Sequence, residues 1–363
     1  MVAEAVAAGK QEAPSPAMTW ADTLGNLAVA DQWRDAIGVV YEAETPEGSK
    51  PARDGKIAKR SDAPMTCGNV DGLDFPVAKF VMGCDNKSNL RDAAPVWDDY
   101  FERGGNTFDT AFGYGRPRQV QLGQWIRSRG LDGQIHVICK GAHTPKCYPD
   151  DLTEQLMQSI EDFNLDSPLS FYIMHRDNPE VPVGEFVDVL NEHYDAGRIK
   201  VFGGSNWTIE RFAEANAYAK ANGKQPMTVL NDNLSLARMV EPVWRGCVHV
   251  SDRKSRQWLA EHDVTNFSWS SQARGYFLPE GQRMKLGADN FSKWDSADNR
   301  ARRARAEELA AKKGCSAINI AAAYVIRQAF PSFALVGPRT IEETATIMPA
   351  LSVELTPEEV EYL

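Results

Sequence analysis

From Phe75 onward the chain alternates short apolar runs with longer amphipathic stretches. The runs are "PVAKFVMG", "NTFDTA", "QIHVICK", "LSFYIMH", "IKVFGGSN", "TVLNDN", "NFSWSS" and "FALVGPR". Their length and their content of β-branched and aromatic residues predict eight buried strands. Stretches such as "NLRDAAPVWDDYFERGG", "DLTEQLMQSIEDFNL" and "VGEFVDVLNEHYDAGR" lie between them, with acidic starts and glycine near several ends, and predict helices. The polar residues closing successive strands are Cys84, Asp109, Lys140, His175, Ser205, Asn231 and Trp269, spaced by 25, 31, 35, 30, 26 and 38. A repeat of about 30 residues predicts a (β/α)8 TIM barrel with helices outside. The rival, an open doubly wound sheet, would carry a glycine fingerprint after its first strand, and "VMGCDNKSN" has none. The last interval, 67 residues from Trp269 to Val336, holds an irregular stretch "LPEGQRMKLGADNFSKWDSADN", read as a loop over the barrel mouth. Two helical runs, "RARRARAEELAAKKG" and "SAINIAAAYVIRQAF", follow it.

Residues 1–68 read as a helical N-terminal extension and linker, and residues 69–363 as the barrel. In "TWADTLGNLAVADQWRDAIG" the residues Trp20, Leu24, Leu27, Trp33 and Ile37 are expected on one helical face, which would dock on a partner, a second subunit or the barrel. The following "EAETPEGSKPARDGKIAKRSDAPMTCG" is a Pro- and Gly-punctuated linker expected to run over the surface.

Charge narrows the partners. Lys+Arg number 40 against Asp+Glu 50, a net charge of −10, and no basic run could track a phosphate backbone, so nucleic acid is not expected. Apolar runs fall short of the roughly 20 residues a membrane helix needs, and the first residues lack the charged head and apolar core of a leader. The expectation is a cytoplasmic protein. Cys67, Cys84, Cys139, Cys147, Cys247 and Cys315 show no paired short spacing and are expected as reduced thiols, with no metal site.

At the carboxyl ends of barrel strands, distance in sequence becomes proximity in space. Asp109, Lys140 and His175 close three consecutive strands, and Tyr114 follows Asp109 by one short turn, "FDTAFGYG". A free phenol, with a pKa of about 10, is a weak acid unless a nearby cation stabilises the phenolate. Lys140 would supply that cation, Asp109 would keep it charged, and the imidazole of His175 would orient a carbonyl or share in the proton relay. Singly, each residue also fits a plainer role, as a turn cap, a packed ring, a snorkelling lysine or a fixed histidine.

The segments "FDTAFGYG", "VICKGA", "FYIMHRDNP", "AGRIKVFGGSNWT" and "VGPRTIEE" resemble those of aldo-keto reductases in order and spacing, over roughly residues 75–363. The resemblance implies a catalytic tetrad of Tyr114 as general acid, Lys140 lowering its pKa, Asp109 supporting the lysine and His175 positioning the carbonyl. It also implies NADP (NADPH) as cofactor, with NAD as the alternative. On that reading Ser205 and Asn206 bind the nicotinamide carboxamide together with Asn231, which stands where the family usually has Gln. Trp269 stacks on the nicotinamide, Ser270 and Arg274 lie near the pyrophosphate, and Gly83, Cys84 and Gly337 border the cofactor. Arg339 and Thr340 meet the 2′-phosphate, and Glu343 the adenine or ribose. Two departures stand out: Ile347 replaces a polar adenine contact, and after "GYG" the chain reads "RPRQVQLG", placing Arg116 and Arg118 at the rim as a steering charge or as solvated side chains.

The rim residues Asp85, Asn86, His143, Arg176, Asp177 and Trp207 suggest hydrogen bonding around one aromatic platform, suited to a sugar or sugar-derived polyhydroxylated substrate. The "TWADTLGNLAVADQWRDAIGVVYEAE" segment resembles a short helical piece of glucose-fructose oxidoreductase-type sugar dehydrogenases. The alternative function is an NADPH-binding regulatory or redox-sensing barrel subunit with little turnover. A metal-dependent hydrolase is disfavoured, because six histidines without a His-X-His pair make a poor ligand set.

Overall fold

The computed structural model describes residues 2–12, 14, 16–41, 55–87 and 89–363. The expected linker lies partly outside them, at residues 42–54. The chain forms two compact units, Met1–Ser49 and Lys50–Leu363.

The first unit carries α1 (Val2–Ala7) and α2 (Trp20–Ile37). Thr19 and Asp22 close a reciprocal capping box at the start of α2, and Gly38 ends it in the left-handed region at φ 68°. The helix is therefore as expected, but its single apolar face is not. Six residues separate Leu27 from Trp33, about one and two-thirds turns, so Trp33 and Ile37 leave the side that Trp20, Leu24 and Leu27 share. None of the described residues of α2 is buried.

In the second unit a hairpin, β1 (Cys67–Gly68) against β2 (Val77–Ala78), precedes a closed parallel barrel. Its strands are β3 (Phe80–Gly83), β4 (Thr107–Ala111), β5 (His136–Gly141), β6 (Leu169–Met174), β7 (Ile199–Gly204), β8 (Val229–Leu230), β9 (Thr265–Ser268) and β10 (Ser332–Val336). β10 pairs with both β9 and β3 and closes the ring. All eight predicted strands are present, and the eightfold expectation is met.

A strand's side chains alternate between its two faces. Val81, Ile138, Phe171, Ile173, Val201, Val229, Phe267 and Phe333 form one interior cluster with Val70 and Val77. The intervening residues, among them Met82, Phe108, Cys139, Tyr172, Met174 and Phe202, pack outward in a second cluster with the helices. Inward positions run two by two from Ile138 to Lys140, from Ile173 to His175, from Val229 to Asn231 and from Phe267 to Trp269. The apolar interior thus ends in a polar layer at one mouth. Gly203 has no room for a side chain, since a Cβ there would meet the Val229 carbonyl at 1.8 Å.

Helices α3 (Leu90–Glu102), α4 (Arg116–Arg129), α5 (Pro149–Phe163), α6 (Val183–Asp195) and α7 (Ile209–Ala221) follow β3 to β7 in turn. Asn89 caps α3 and Thr208 caps α7 with side-chain oxygens on backbone N–H groups. Residues of the expected linker that are described run beside α3, where Arg60 pairs with Asp99 and Glu102 at 2.9 and 3.0 Å. After α8 (Arg253–Glu261) and β9, the stretch expected to be irregular contains a short helix, α9 (Glu280–Leu286), and a buried anchor, Trp294. α10 (Ala297–Lys313) and α11 (Ala317–Ile326) match the two predicted helical runs, and α12 (Ile341–Ile347) and α13 (Pro357–Tyr362) end the chain.

Candidate active site

Lys140 is the centre of the polar layer. Its Nζ donates to Asp109 Oδ1 and Oδ2 at 2.9 and 2.8 Å, and both residues are almost fully buried, at 2% and 3% exposure. In register Asp109 pairs with Ile138 and Ala111 pairs with Lys140, so the lysine reaches down one layer to the carboxylate. Burial alone would strip its proton, but Asp109 and the Tyr114 phenol more than offset that and raise the ammonium's pKa. Asp109 feels the same burial, opposed by the same lysine.

Tyr114 ends a single 3-10 turn after β4. Lys140 Nζ lies 5.4 Å from its ring centroid, close enough for its charge to favour the phenolate. Burial pushes the phenol up to about 12, with Lys140 pulling it back. The expected lowering by the lysine is therefore present as an opposing effect, and the outcome is a phenol that keeps its proton at neutral pH. His175 stands edge-on to Tyr114 at 5.7 Å and to His143 at 4.9 Å. Burial, then the charges of Lys140 and Arg176, hold its imidazole neutral, well below the usual 6.5. Its Nδ1 is buried without a hydrogen-bond partner among the described residues. Tyr114, Lys140, Asp109 and His175 are thus brought together.

The residues expected around a nicotinamide converge on the same mouth. Ser205 Oγ donates to the Asn231 carbonyl at 2.8 Å and accepts from Asn206 Nδ2 at 3.0 Å, and Asn206 Oδ1 accepts from Val248 N–H at 3.3 Å. Each keeps a lone pair unused, and Asn206 a second amide hydrogen, which a carboxamide could take up. Asn231 is different. Its Oδ1 faces Lys140 Nζ at 3.4 Å and its Nδ2 donates to the Phe267 carbonyl, so its short amide serves the lysine from inside the barrel. Trp269 follows β9 with a buried, unpartnered Nε1 and rests at 5.9 Å from Trp244. Ser270 and Arg274 adopt left-handed backbone at φ 46° and 55°, and Arg274 lies over the Trp244 ring at 5.7 Å.

Near β10, Thr340 caps α12, and Glu343 accepts from the Arg339 backbone N–H at 2.7 Å. The Arg339 guanidinium is exposed and makes no hydrogen bond or ion pair among the described residues. Ile347 is buried in the core, which accounts for its apolar character. Gly83 and buried Cys84 border the β3 end, and the Cys84 N–H bonds the Asp109 carbonyl at 2.9 Å. Asn86, expected at the substrate, instead donates to the Gly337 carbonyl at 2.8 Å, and Lys87 donates to the Pro338 carbonyl at 2.6 Å. Together they tie the β3 loop to the β10 loop.

The rim expectations divide. Asp85 is exposed and His143 half-buried. Trp207 is no platform: it is fully buried in the helical layer, against Phe186 and the Arg211 guanidinium. The left-handed backbone at Asn206, φ 58°, turns the chain away from the mouth just before it. Arg176 is likewise buried, donating to the His175 carbonyl and to Cys247 Sγ, and Asp177 is paired with Arg211 at 3.1 Å. Arg116 pairs with Asp162 at 2.8 Å. Arg118 has a role the sequence reading missed: it donates to the Tyr114 carbonyl at 2.6 Å and to the Asp85 carbonyl at 2.9 Å, fastening the tyrosine's turn to the neighbouring strand end. All six cysteines are free thiols, and the described residues contain no cluster of metal-binding side chains. No helix among the described residues is long and apolar enough to cross a membrane.

Comparison with known proteins agrees with this geometry. A sequence model of the Aldo/keto reductase family matches residues 81–363. A "Probable aryl-alcohol dehydrogenase" of Saccharomyces cerevisiae is 26% identical over 76% of this chain and 87% of its own length. A norsolorinic acid reductase of Emericella nidulans is 24% identical over 74% of this chain and 70% of its own. An aryl-alcohol dehydrogenase [NADP(+)] of Phanerodontia chrysosporium is 23% identical over 73% of each chain.

Proposed function

The chain belongs to the aldo/keto reductase family, and we propose that it reduces a ring-bearing aldehyde or ketone with NADPH, Tyr114 giving the proton. The single observation that carries this reading is the buried Asp109–Lys140 pair beside a protonated Tyr114. When bound, the nicotinamide supplies the hydride. The carbonyl oxygen then gains charge and takes the Tyr114 proton, and the phenolate left behind lies beside the Lys140 ammonium. Asp109 keeps that ammonium charged through the cycle. His175, neutral and edge-on to Tyr114, is placed to hold the carbonyl oxygen by a hydrogen bond.

Residues to hold the cofactor are present. Ser205 and Asn206 keep hydrogen-bonding capacity for the carboxamide, Trp269 offers a ring face, and the exposed Arg339 guanidinium suits a 2′-phosphate through its planar fork. That fork favours NADPH over NADH.

For the substrate, the rings of Tyr114, His143 and His175 wall the reacting end. The names of the relatives point toward aromatic carbonyls. A sugar or sugar-derived substrate is the second reading, supported by Asp85 and His143 at the rim; it loses Trp207, Arg176 and Asp177, which are buried or paired. A turnover assay separates the two: aryl aldehydes, aryl ketones, aldoses and sugar-derived dicarbonyls, each with NADPH, followed by loss of nicotinamide absorbance. Turnover of aryl carbonyls above aldoses is expected, and activity confined to aldoses would overturn the aromatic assignment. NADPH binding without turnover of any carbonyl would overturn catalysis in favour of a regulatory barrel.

A further inference from the structure

Asp232 lies one residue beyond Asn231, fully buried at 0% exposure, and has no place in the chemistry above. The carboxylate has no ion-pair partner within contact distance among the described residues. Its Oδ1 accepts the backbone N–H of Asn206 at 2.5 Å, and the neighbouring Trp207 amide also favours the charged form against burial. Its Oδ2 is buried without a partner among the described residues. Its own backbone is fixed by Asn266, whose side chain accepts the Asp232 N–H at 3.1 Å and donates to the Asp232 carbonyl at 3.3 Å. The amide it holds follows Ser205 directly and belongs to the left-handed residue Asn206.

Burying a carboxylate is costly unless its hydrogen bonds are specific. Here they converge on the one turn that carries Ser205 and Asn206. An L-residue in the left-handed region is held there by its surroundings, and Asp232 is the side chain that pins its amide. We infer that Asp232 is a positioning residue that fixes the Ser205–Asn206–Trp207 turn so that Ser205 and Asn206 meet the cofactor's carboxamide. This rests on the reading that those two residues contact the nicotinamide.

The structure also connects Asp232 to the other half of the site. Arg176 faces it electrostatically and donates to the His175 carbonyl at 2.8 Å. One buried carboxylate therefore stands behind both the cofactor turn and the histidine.

The test is NADPH affinity, measured calorimetrically on the full chain for wild type, Asp232→Ala, Asp232→Asn and Ser205→Ala. Asp232→Ala removes the acceptor of the Asn206 amide and is expected to weaken NADPH at least tenfold. Asp232→Asn keeps an acceptor oxygen and is expected within threefold of wild type, a rescue that a role for the negative charge itself would not give. Where Asp232→Ala does not fold, Asp232→Ser takes its place, since its shorter hydroxyl does not reach the Asn206 amide, and the same tenfold loss is expected. Ser205→Ala weakening NADPH while Asp232→Ala or Asp232→Ser leaves it within threefold overturns the inference alone. Equal losses in Asp232→Asn and Asp232→Ala also overturn it. Ser205→Ala binding like wild type overturns the carboxamide reading and this inference with it.

Discussion

The Lys140 ammonium sits against both carboxylate oxygens of Asp109, a contact across 31 residues of chain. Such a pair costs much to desolvate, and its members are therefore unequal to the task alone. Lys140→Met leaves Asp109 buried and unpaired, and is expected to destabilise the fold by about 3–5 kcal/mol. The double variant Lys140→Met/Asp109→Asn should recover a large part of that loss while remaining inactive. Urea unfolding of wild type, Lys140→Met, Asp109→Asn and the double variant measures the coupling.

Tyr114→Phe keeps the ring against His175 and removes only the hydroxyl. Carbonyl reduction should fall by about 10²–10⁴, the usual contribution of a positioned general acid. NADPH affinity should stay within twofold. Single-turnover kinetics and calorimetry read the two quantities separately.

Arg118 reaches two backbone carbonyls, Tyr114 and Asp85, at once. Arg118→Ala should lower kcat about tenfold, on the scale of a lost charged hydrogen bond, with cofactor affinity unchanged. Arg118→Lys should restore little, because one ammonium lacks the fork that spans both acceptors. A larger loss in NADPH affinity than in kcat would assign Arg118 to the cofactor instead.

Arg339→Ala tests the choice of cofactor. NADPH should bind about 10–100 times more weakly, as a charged hydrogen bond of about 1.5–3 kcal/mol is lost, and NADH should bind as before. Parallel losses for the two would place the 2′-phosphate elsewhere.

Four buried or half-buried histidines, His136, His175, His193 and His249, have pKa values depressed by burial, His136 to about 4. A depressed histidine is neutral in the fold while the unfolded chain takes up a proton below 6.5. Stability should therefore be complete above about pH 7 and fall as pH drops through 6.5, by up to about 1.4 kcal/mol per pH unit for His136 and in the same direction for the others. For His136 the decline should run to about pH 4 and then level. His136→Gln should flatten part of the slope in urea midpoints taken between pH 7 and 4.

The barrel and the tetrad were legible because each strand writes the same message. An inward apolar residue such as Ile138 or Ile173 is followed two positions later by Lys140 or His175, and alternation carries the polar group to the mouth. Trp207 was not legible for the same reason turned around. Alternation from Ser205 would aim it inward, but the left-handed turn at Asn206 sends it into the helical layer. Asn231 looked like a cofactor amide, and its shorter side chain leaves it on Lys140 and the Phe267 carbonyl. In α2 the apolar residues were counted correctly, but a six-residue step from Leu27 to Trp33 breaks the helical phase. Asp232 carried a signal that could have been used: a carboxylate inside "LNDN", at a buried strand end with no basic residue adjacent in sequence.

The β1–β2 hairpin gives the interior its last apolar members, Val70 and Val77. They extend the apolar interior away from the polar layer of Lys140 and His175, so the reacting groups stand at the other end of a packed interior. On the proposed reading a substrate enters carbonyl first, with whatever it carries behind that carbon directed toward the loops. The barrel therefore measures the head of a molecule and leaves its tail to the loops, so bulk far from the reacting carbon should be tolerated where bulk beside it is not.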